Sequence, residues 1–394
     1  MKVLYIIVSY LYSLFLPSKK IVYFCSFFGQ FSDNPKYIYK KLVEFYPDIN
    51  IAWCINKANS GNFPNSVKKV VFQSFLHYYY IYNASVVVDN NMGLRQYPGT
   101  NGLIHKMLFG RLSRKSEKQL NISTWHGTPY KCIGMDSLDF PKKCRFYHNA
   151  DYVVAGCNLT YEKFKKAFGG ELPIVKYGTP RNDIFFERID VVQIKEKLKL
   201  PVDKKLMLFA PTFRKEMSQN GACQLDAIQP RKLLNELNNK YGGEWGIVCR
   251  FHSHVLTEIN LTGLYNDSIF NGNIGDDMQE YLLCADALIT DFSSSFFDYA
   301  LTKKPCFLFA SDMEHYTSNE RGVYITKDEL PYTIAYTSED LLNNIMGHNG
   351  EIYIQKINSF LEKIGNFEDG KASSRVVKDI ACFYLSKQKR QSYE

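Results

Sequence analysis

From Lys20 onward, short β-branched and aromatic runs alternate with longer mixed segments. In the first half the strand candidates are 21–27, 51–55, 69–72, 85–89, 122–125, 152–155 and 173–178. Most, like "SVVVD" at 85–89, are nearly continuous hydrophobic runs rather than period-two patterns. Strands buried on both faces read this way, so the pattern predicts parallel sheets covered by helices. The rhythm restarts after a charged stretch at 187–205, with strands expected at 206–212, 246–252, 268–272, 287–291 and 305–310 and helices at 276–284 and 293–301. Two consecutive β/α repeats predict two facing, doubly wound, Rossmann-like domains with a cleft between them, dividing near 185–205. Residues 20–190 are taken as the N-terminal α/β domain and 191–394 as the C-terminal one.

Two segments depart from this rhythm. Within residues 1–19, Val3 to Leu16 is an uncharged run of 14 residues, preceded by Lys2 and closed by "PSKK". It is short of the roughly 20 apolar residues that cross a bilayer, and no small-x-small cleavage pattern follows it, so an interfacial or buried helix is expected. The second segment, 94–120, carries six Lys/Arg against one Glu. Ile104, Met107, Leu108 and Leu112 fall on one helical stripe with Arg111, Lys115 and Lys118 off it. Such a basic amphipathic insertion suits an anionic membrane face or a solvated helix packed on its own domain.

Composition narrows the classes. At 394 residues the chain is long enough for two domains, and 45% hydrophobic with 22% charged residues is ordinary for a globular protein. A net charge of +8 favours phosphates, nucleotides or an anionic membrane as partners. The ten cysteines are dispersed without a CxxC pair, which argues against structural zinc and for a reducing, cytoplasmic setting. No GxxxxGK[ST] or GxGxxG run occurs, so neither P-loop chemistry nor a dinucleotide cofactor has support. The adjacent carboxylates of "GDDM" (275–278) read as helix caps rather than metal ligands. No cofactor, metal or nucleic acid is expected.

The strand ends carry the chemistry. They read "WHGT" (125–128), "GTPRND" (178–183), "APTFR" (210–214), "RFHSH" (250–254) and "TDFSSSFFDY" (290–299). If these are carboxyl ends of facing sheets, all five loops line one cleft. A lone histidine is more often structural, but His126 ends a strand and is followed by Gly127, Thr128 and Pro129, which suits a general base. Lys131 stands ready to neutralise phosphate, and His252 occupies the mirror position after Arg250. Helix capping explains one of Ser293, Ser294 and Ser295 but hardly all three, so a phosphate site is expected there. Arg214 and Arg321 are further phosphate-seeking forks.

With these residues assembled, the chain resembles the CDP-glycerol:polyol glycerophosphotransferases, the teichoic-acid primase and polymerase family, over roughly residues 20 to 375. "WHGTPYKCIG", "GTPRND", "APTFR", "RFH", "TDFSSSFFDY" and "YTSNERGVYI" stand in family order. The resemblance implies a GT-B-like architecture with the nucleotide held mainly by the C-terminal domain. It implies transfer of glycerol phosphate, or sometimes ribitol phosphate, from CDP-glycerol or CDP-ribitol to a hydroxyl of a lipid-linked or polyol-phosphate acceptor. CMP is released, at the inner membrane face, in teichoic-acid or capsule synthesis. His126 and His252 become the expected catalytic pair. Gly127, Thr128, Lys131, Arg181, Asn182, Thr212, Arg214, Arg250, Asp291, Ser293, Ser294, Ser295, Asp298 and Arg321 become the expected substrate-binding set. Cys132 stands where many members have another lysine. A GT-B sugar-nucleotide glycosyltransferase is the rival reading, against which the pairing of W-H-G-T-P with D-F-S-S speaks.

Overall fold

The computed structural model describes residues 1–57, 62–91, 117–138, 150–170, 172–212, 225–251, 264–291, 293–311 and 322–391, with side chains to residue 386. Each strand expected from the sequence is present, most of them trimmed or shifted at an end. The N-terminal sheet contains β1 (Lys19–Cys25), β2 (Ile51–Ile55), β3 (Lys68–Val71), β4 (Ala84–Asp89), β5 (Leu120–Ser123), β6 (Tyr152–Val154) and β7 (Ile174–Val175). The C-terminal sheet contains β8 (Lys205–Ala210), β9 (Trp245–Cys249), β10 (Ile269–Asn271), β11 (Ala287–Thr290), β12 (Cys306–Phe309) and the unforeseen β13 (Ile334–Ala335).

The sheet orders are β3-β2-β1-β4-β5-β6-β7 and β10-β9-β8-β11-β12-β13, and the pairs are parallel. Strand order reverses at β1/β4 in the first sheet and at β8/β11 in the second, and these switch points are where such sheets open a crevice. All six residues of β4 are buried, Ser85 and Asp89 included, as its nearly continuous apolar run leads one to expect. The two faces of the N-terminal sheet carry separate cores, one around Phe24, Ile38 and Trp53 and the other around Tyr23, Tyr80 and Tyr82.

Helix α1 (Lys2–Phe15) packs along α3 (Phe75–Asn83) through Tyr5–Phe75, Tyr10–Tyr82 and Tyr12–Tyr79 ring contacts, with Ile6 and Ser9 buried. Its other face exposes Leu4, Leu11, Leu14 and Phe15. Between these helices in sequence, α2 (Asp33–Phe45) covers the opposite side of the sheet. Beyond them lie α4 (Asn158–Ala167), α5 (Met278–Cys284), α6 (Ser295–Ala300) and α7 (Ala372–Gln391).

One expectation is corrected. Residues 191–394 do not form a single unit, because α7 crosses back and places Val376, Val377, Ile380 and Tyr384 in the core beneath the N-terminal sheet. Those residues make an apolar stripe at helical spacing, and α2 together with β4 supplies its partner surface. A stripe announces that a helix is covered, not which sheet covers it.

Candidate active site

His126 sits over the N-terminal switch point. The chain leaves β5, turns through Trp125 at φ 51° and Gly127 at φ 101°, and presents the imidazole between them. A tryptophan in the left-handed region costs about 1–3 kcal/mol, so the surroundings must hold it there. They do so from both sides: Asn34 Nδ2 donates to the carbonyls of Thr124 (3.2 Å) and Trp125 (2.9 Å), while the Trp125 ring packs on Phe164 and Phe168. The same ring stacks on His126 with centroids 4.1 Å apart.

The Nδ1 atom of His126 lies 2.9 Å from the carbonyl oxygen of Asn90, the residue after β4. A carbonyl only accepts, so in the neutral ring the proton is on Nδ1 and Nε2 keeps its lone pair. Burial lowers the His126 pKa below the ordinary imidazole value; Asn90 and Asp33 oppose this and Arg181 adds to it. The ring is therefore neutral, oriented and basic at Nε2 at physiological pH. That is the state a general base needs.

The P-R-N-D segment, expected to contact substrate, engages the protein's own side chains. Arg181 is buried, with Nη1 on Asp33 (2.9 Å) and Nη2 on Asp298 (2.5 Å), and its backbone N–H donates to Asn34 Oδ1 (2.9 Å). Asn182 donates to Asp298 (3.0 Å) and Glu368 (3.3 Å). Asp183 accepts the Ala372 and Ser373 amides and so caps α7. Burial raises the Asp298 carboxyl, against the pull of Arg181 and Asn182. It also lifts Glu368 to about 8. Arg181, Asn182 and Asp298 thus clasp the two halves together. Gly127 belongs to the same arrangement: a Cβ there would stand 2.1 Å from Arg181 Nη2.

At the C-terminal switch point, Asp291 accepts from both the amide (2.9 Å) and the hydroxyl (3.0 Å) of Thr212, joining the loops after β8 and β11. Ser293 Oγ accepts from the amide (3.2 Å) and the hydroxyl (2.9 Å) of Ser295, so these two serines brace each other as α6 begins. Ser294, half-buried, makes no side-chain cap bond to the helix. Arg250 places its guanidinium on the carbonyls of Gly272, Gly275 and Asp276 and over the Tyr281 ring, and so shapes the loop after β10. Thr128 likewise turns inward, accepting from the Thr160 hydroxyl. His252, Arg214, Arg321 and the greater part of the 94–120 insertion lie outside the described residues.

The arm after the base loop reaches across. Tyr130 is buried against Phe296 of α6, with ring centroids 5.3 Å apart, and Lys131 forms an antiparallel bridge with Val323. Cys132 donates its N–H to the Gly322 carbonyl (2.8 Å). The base loop and the serine turn are therefore tied by one guanidinium and one aromatic pair.

The "GDDM" carboxylates are not helix caps. Asp277 makes no cap bond and instead takes Lys36 Nζ (2.6 Å) and the Tyr37 hydroxyl (2.7 Å), while Glu280 takes the same Lys36 (2.7 Å). Among the described residues no cluster of three His, Cys, Asp or Glu could hold a metal ion. Sequence reasoning passed over Asp33, Asn34, Lys36, Asn90, Tyr130 and Glu368. The first three open α2 and look like ordinary helix-start residues, and nothing local marks the others.

A family model described as CDP-glycerol:poly(glycerophosphate) glycerophosphotransferase matches residues 8–382. A teichoic acid poly(glycerol phosphate) polymerase of Bacillus spizizenii is 30% identical over 399 residues, 96% of this chain and 96% of the relative. A protein of the same name from Staphylococcus epidermidis is 31% identical over 378 residues, covering 91% of this chain but 50% of the relative, so this chain spans half of that protein's length. A structure of the wall teichoic acid polymerase TagF, from a variant soaked with CDPG, superposes with a TM-score of 0.80 at 28% identity, covering 98% of this chain and 94% of that one.

Proposed function

The chain belongs to the CDP-glycerol:poly(glycerophosphate) glycerophosphotransferase family, and from that premise we propose that it transfers glycerol phosphate from CDP-glycerol to a hydroxyl of a teichoic-acid-type, lipid-linked or poly(glycerol phosphate) acceptor. The observation that carries the reading is His126 at the N-terminal switch point, its Nδ1 committed to the Asn90 carbonyl and its Nε2 left to accept a proton. The acceptor hydroxyl oxygen attacks the phosphorus that bears glycerol and gives its proton to Nε2. The bond from that phosphorus to the bridging oxygen breaks, and CMP leaves with the electron pair. Ser293 and Ser294, at the turn tied to the base loop through Arg181 and Tyr130, are assigned to the diphosphate. Family motif order assigns His252, Arg214 and Arg321 to the same charge. Such a transfer gains its rate from positioning and charge neutralisation.

We read the enzyme's setting from α1. No helix of the described residues is long and apolar enough to cross a membrane. The open face of α1 nevertheless presents Leu4, Leu11, Leu14 and Phe15, with Lys2 at the start of the helix and Lys19 shortly after its end in sequence, and no Asp or Glu precedes Asp33. An apolar face flanked only by cations fits the anionic inner leaflet, where a lipid-linked acceptor resides.

The test is CMP release from CDP-glycerol, CDP-ribitol and a UDP-sugar, each with a lipid-linked disaccharide or an oligo(glycerol phosphate) acceptor. Acceptor-dependent release from CDP-glycerol is expected. Turnover of the UDP-sugar alone would replace this reading with a glycosyltransferase, and turnover of CDP-ribitol alone would change the polyol.

A further inference from the structure

Between the base loop and the serine turn lies a buried chain of charges that the transfer steps above leave unused. Arg181 is shared by Asp33 and Asp298, and all three side chains are at most 8% exposed. Two carboxylates and one guanidinium carry a net charge of minus one away from water. Glu368, beside Asp298 and lifted to about 8 by burial, adds no charge at neutral pH. The chain abuts the base. Arg181 packs on Gly127, and Asn34, next to Asp33, holds the carbonyls of Thr124 and Trp125. Asp33 itself stands at φ 59°, a conformation of the kind that persists where surrounding contacts over-determine it. In that conformation its Oδ1 takes the Asn34 amide (2.5 Å) while Oδ2 meets Arg181 (2.9 Å).

We propose that Asp33 is a positioning residue that balances the charge of the base, the Asp33–Arg181–Asp298 chain and His126 becoming neutral as a set when the imidazole takes the acceptor's proton. This rests on the glycerophosphotransferase reading, in which His126 gains that proton. Among the described residues the charges that act on the ring are those of Asp33, at the start of α2, and Arg181, in the 180–186 turn, which is salt-bridged to Asp33 and abuts Gly127 beside the ring. Asn90, Phe27 and Trp125, which contact it, carry no formal charge. Burial, with a smaller push from Arg181, keeps the base neutral at rest, while Asp33 favours the imidazolium and stabilises the charge it gains. A salt bridge serving the fold alone would cost stability without lowering the acceptor-dependent kcat of the folded variant.

The test is an NMR titration of the His126 ring in the full chain without substrate, its signal assigned by loss in His126→Gln. Asp33→Asn keeps the shape, tolerates the left-handed backbone and removes one charge. Its imidazole pKa is expected to fall by about one unit. The acceptor-dependent kcat should fall about tenfold, with the CDP-glycerol KM held within roughly twofold. Asp298→Asn removes the same charge from the other end of the guanidinium, should shift the ring in the same direction, and serves if Asp33→Asn does not fold. A ring that titrates at the wild-type value in a folded variant, or a loss that falls wholly on KM, overturns the proposal. A wild-type enzyme silent toward CDP-glycerol, with the shift still present in Asp33→Asn, would refute the donor reading and support the charge coupling.

Discussion

Replacing Lys36 by methionine tests how the two halves are joined. Lys36 begins on α2 of the N-terminal half, and its Nζ ends between Asp277 (2.6 Å) and Glu280 (2.7 Å) of the C-terminal half. Its side chain is 3% exposed and that of Asp277 2%, so surface-pair values near 0–1 kcal/mol do not apply. Burial acts to lower the Lys36 pKa, and the two carboxylates outweigh it and leave it raised. Glu280 keeps a second cation, Lys197, after the substitution, and among the described residues Asp277 keeps the Tyr37 hydroxyl and the Asp33 amide as donors. The loss therefore falls on one stranded, buried carboxylate, which costs about 3–5 kcal/mol. Against a typical total of roughly 5–15 kcal/mol that is severe. The assay is equilibrium urea unfolding followed by tryptophan emission, where Trp53 and Trp125 report on the N-terminal half and Trp245 on the C-terminal half. Pairing Lys36→Met with Asp277→Asn should recover much of the loss.

The pH dependence of that variant has a definite sign. In the wild type Asp277 is pushed up by burial but held below its ordinary value by Lys36. Its stabilising contribution is present above the ordinary carboxylate pKa and is lost as the pH falls through the lower, folded value. Without Lys36 the buried carboxyl rises instead, so the variant recovers relative to wild type as the medium is acidified. A loss below about 1 kcal/mol, or a gap that widens in acid, would refute the reasoning.

Three further outcomes follow from the same geometry. Gly127→Ala places a Cβ 2.1 Å from Arg181 Nη2 at a backbone φ of 101°; a loss of about 2–4 kcal/mol in thermal or urea unfolding, accompanied by lost transfer, is expected. Glu368, ordinarily near 4.5 and lifted to about 8, is protonated in the folded chain and ionised in the unfolded one between those values. Wild-type stability should therefore decline as the pH rises through that window and level off above it, while Glu368→Gln melts with a flatter pH profile. Replacing Leu4, Leu11 and Phe15 together with aspartate should weaken sedimentation with anionic liposomes by roughly 100-fold and leave the unfolding midpoint nearly unchanged.

The β/α rhythm was legible because strands buried on both faces leave nearly continuous apolar runs, as in β4 and β11. The turn after β5 was legible too, since a strand ending in His-Gly-Thr-Pro carries its own punctuation in a few residues. What escaped was long-range. The sequence of the P-R-N-D segment shows nothing of the two carboxylates, 148 and 117 residues away, that hold Arg181. Lys36 reads as solvated helix surface until Asp277, 241 residues on, closes over it. Helix α7 shows its stripe in sequence, but only the fold reveals that the stripe covers the first sheet. Local patterns report what a residue can do, and its partners decide which of those things it does.

The central claim is that His126 takes the acceptor's proton, and it is tested most directly by CMP release from CDP-glycerol by His126→Gln beside wild type, with donor affinity measured by calorimetry on both. The account predicts a fall of about 10²–10⁴-fold in acceptor-dependent release with donor affinity nearly unchanged. Release at the wild-type rate by a folded His126→Gln protein would contradict it and place the base elsewhere.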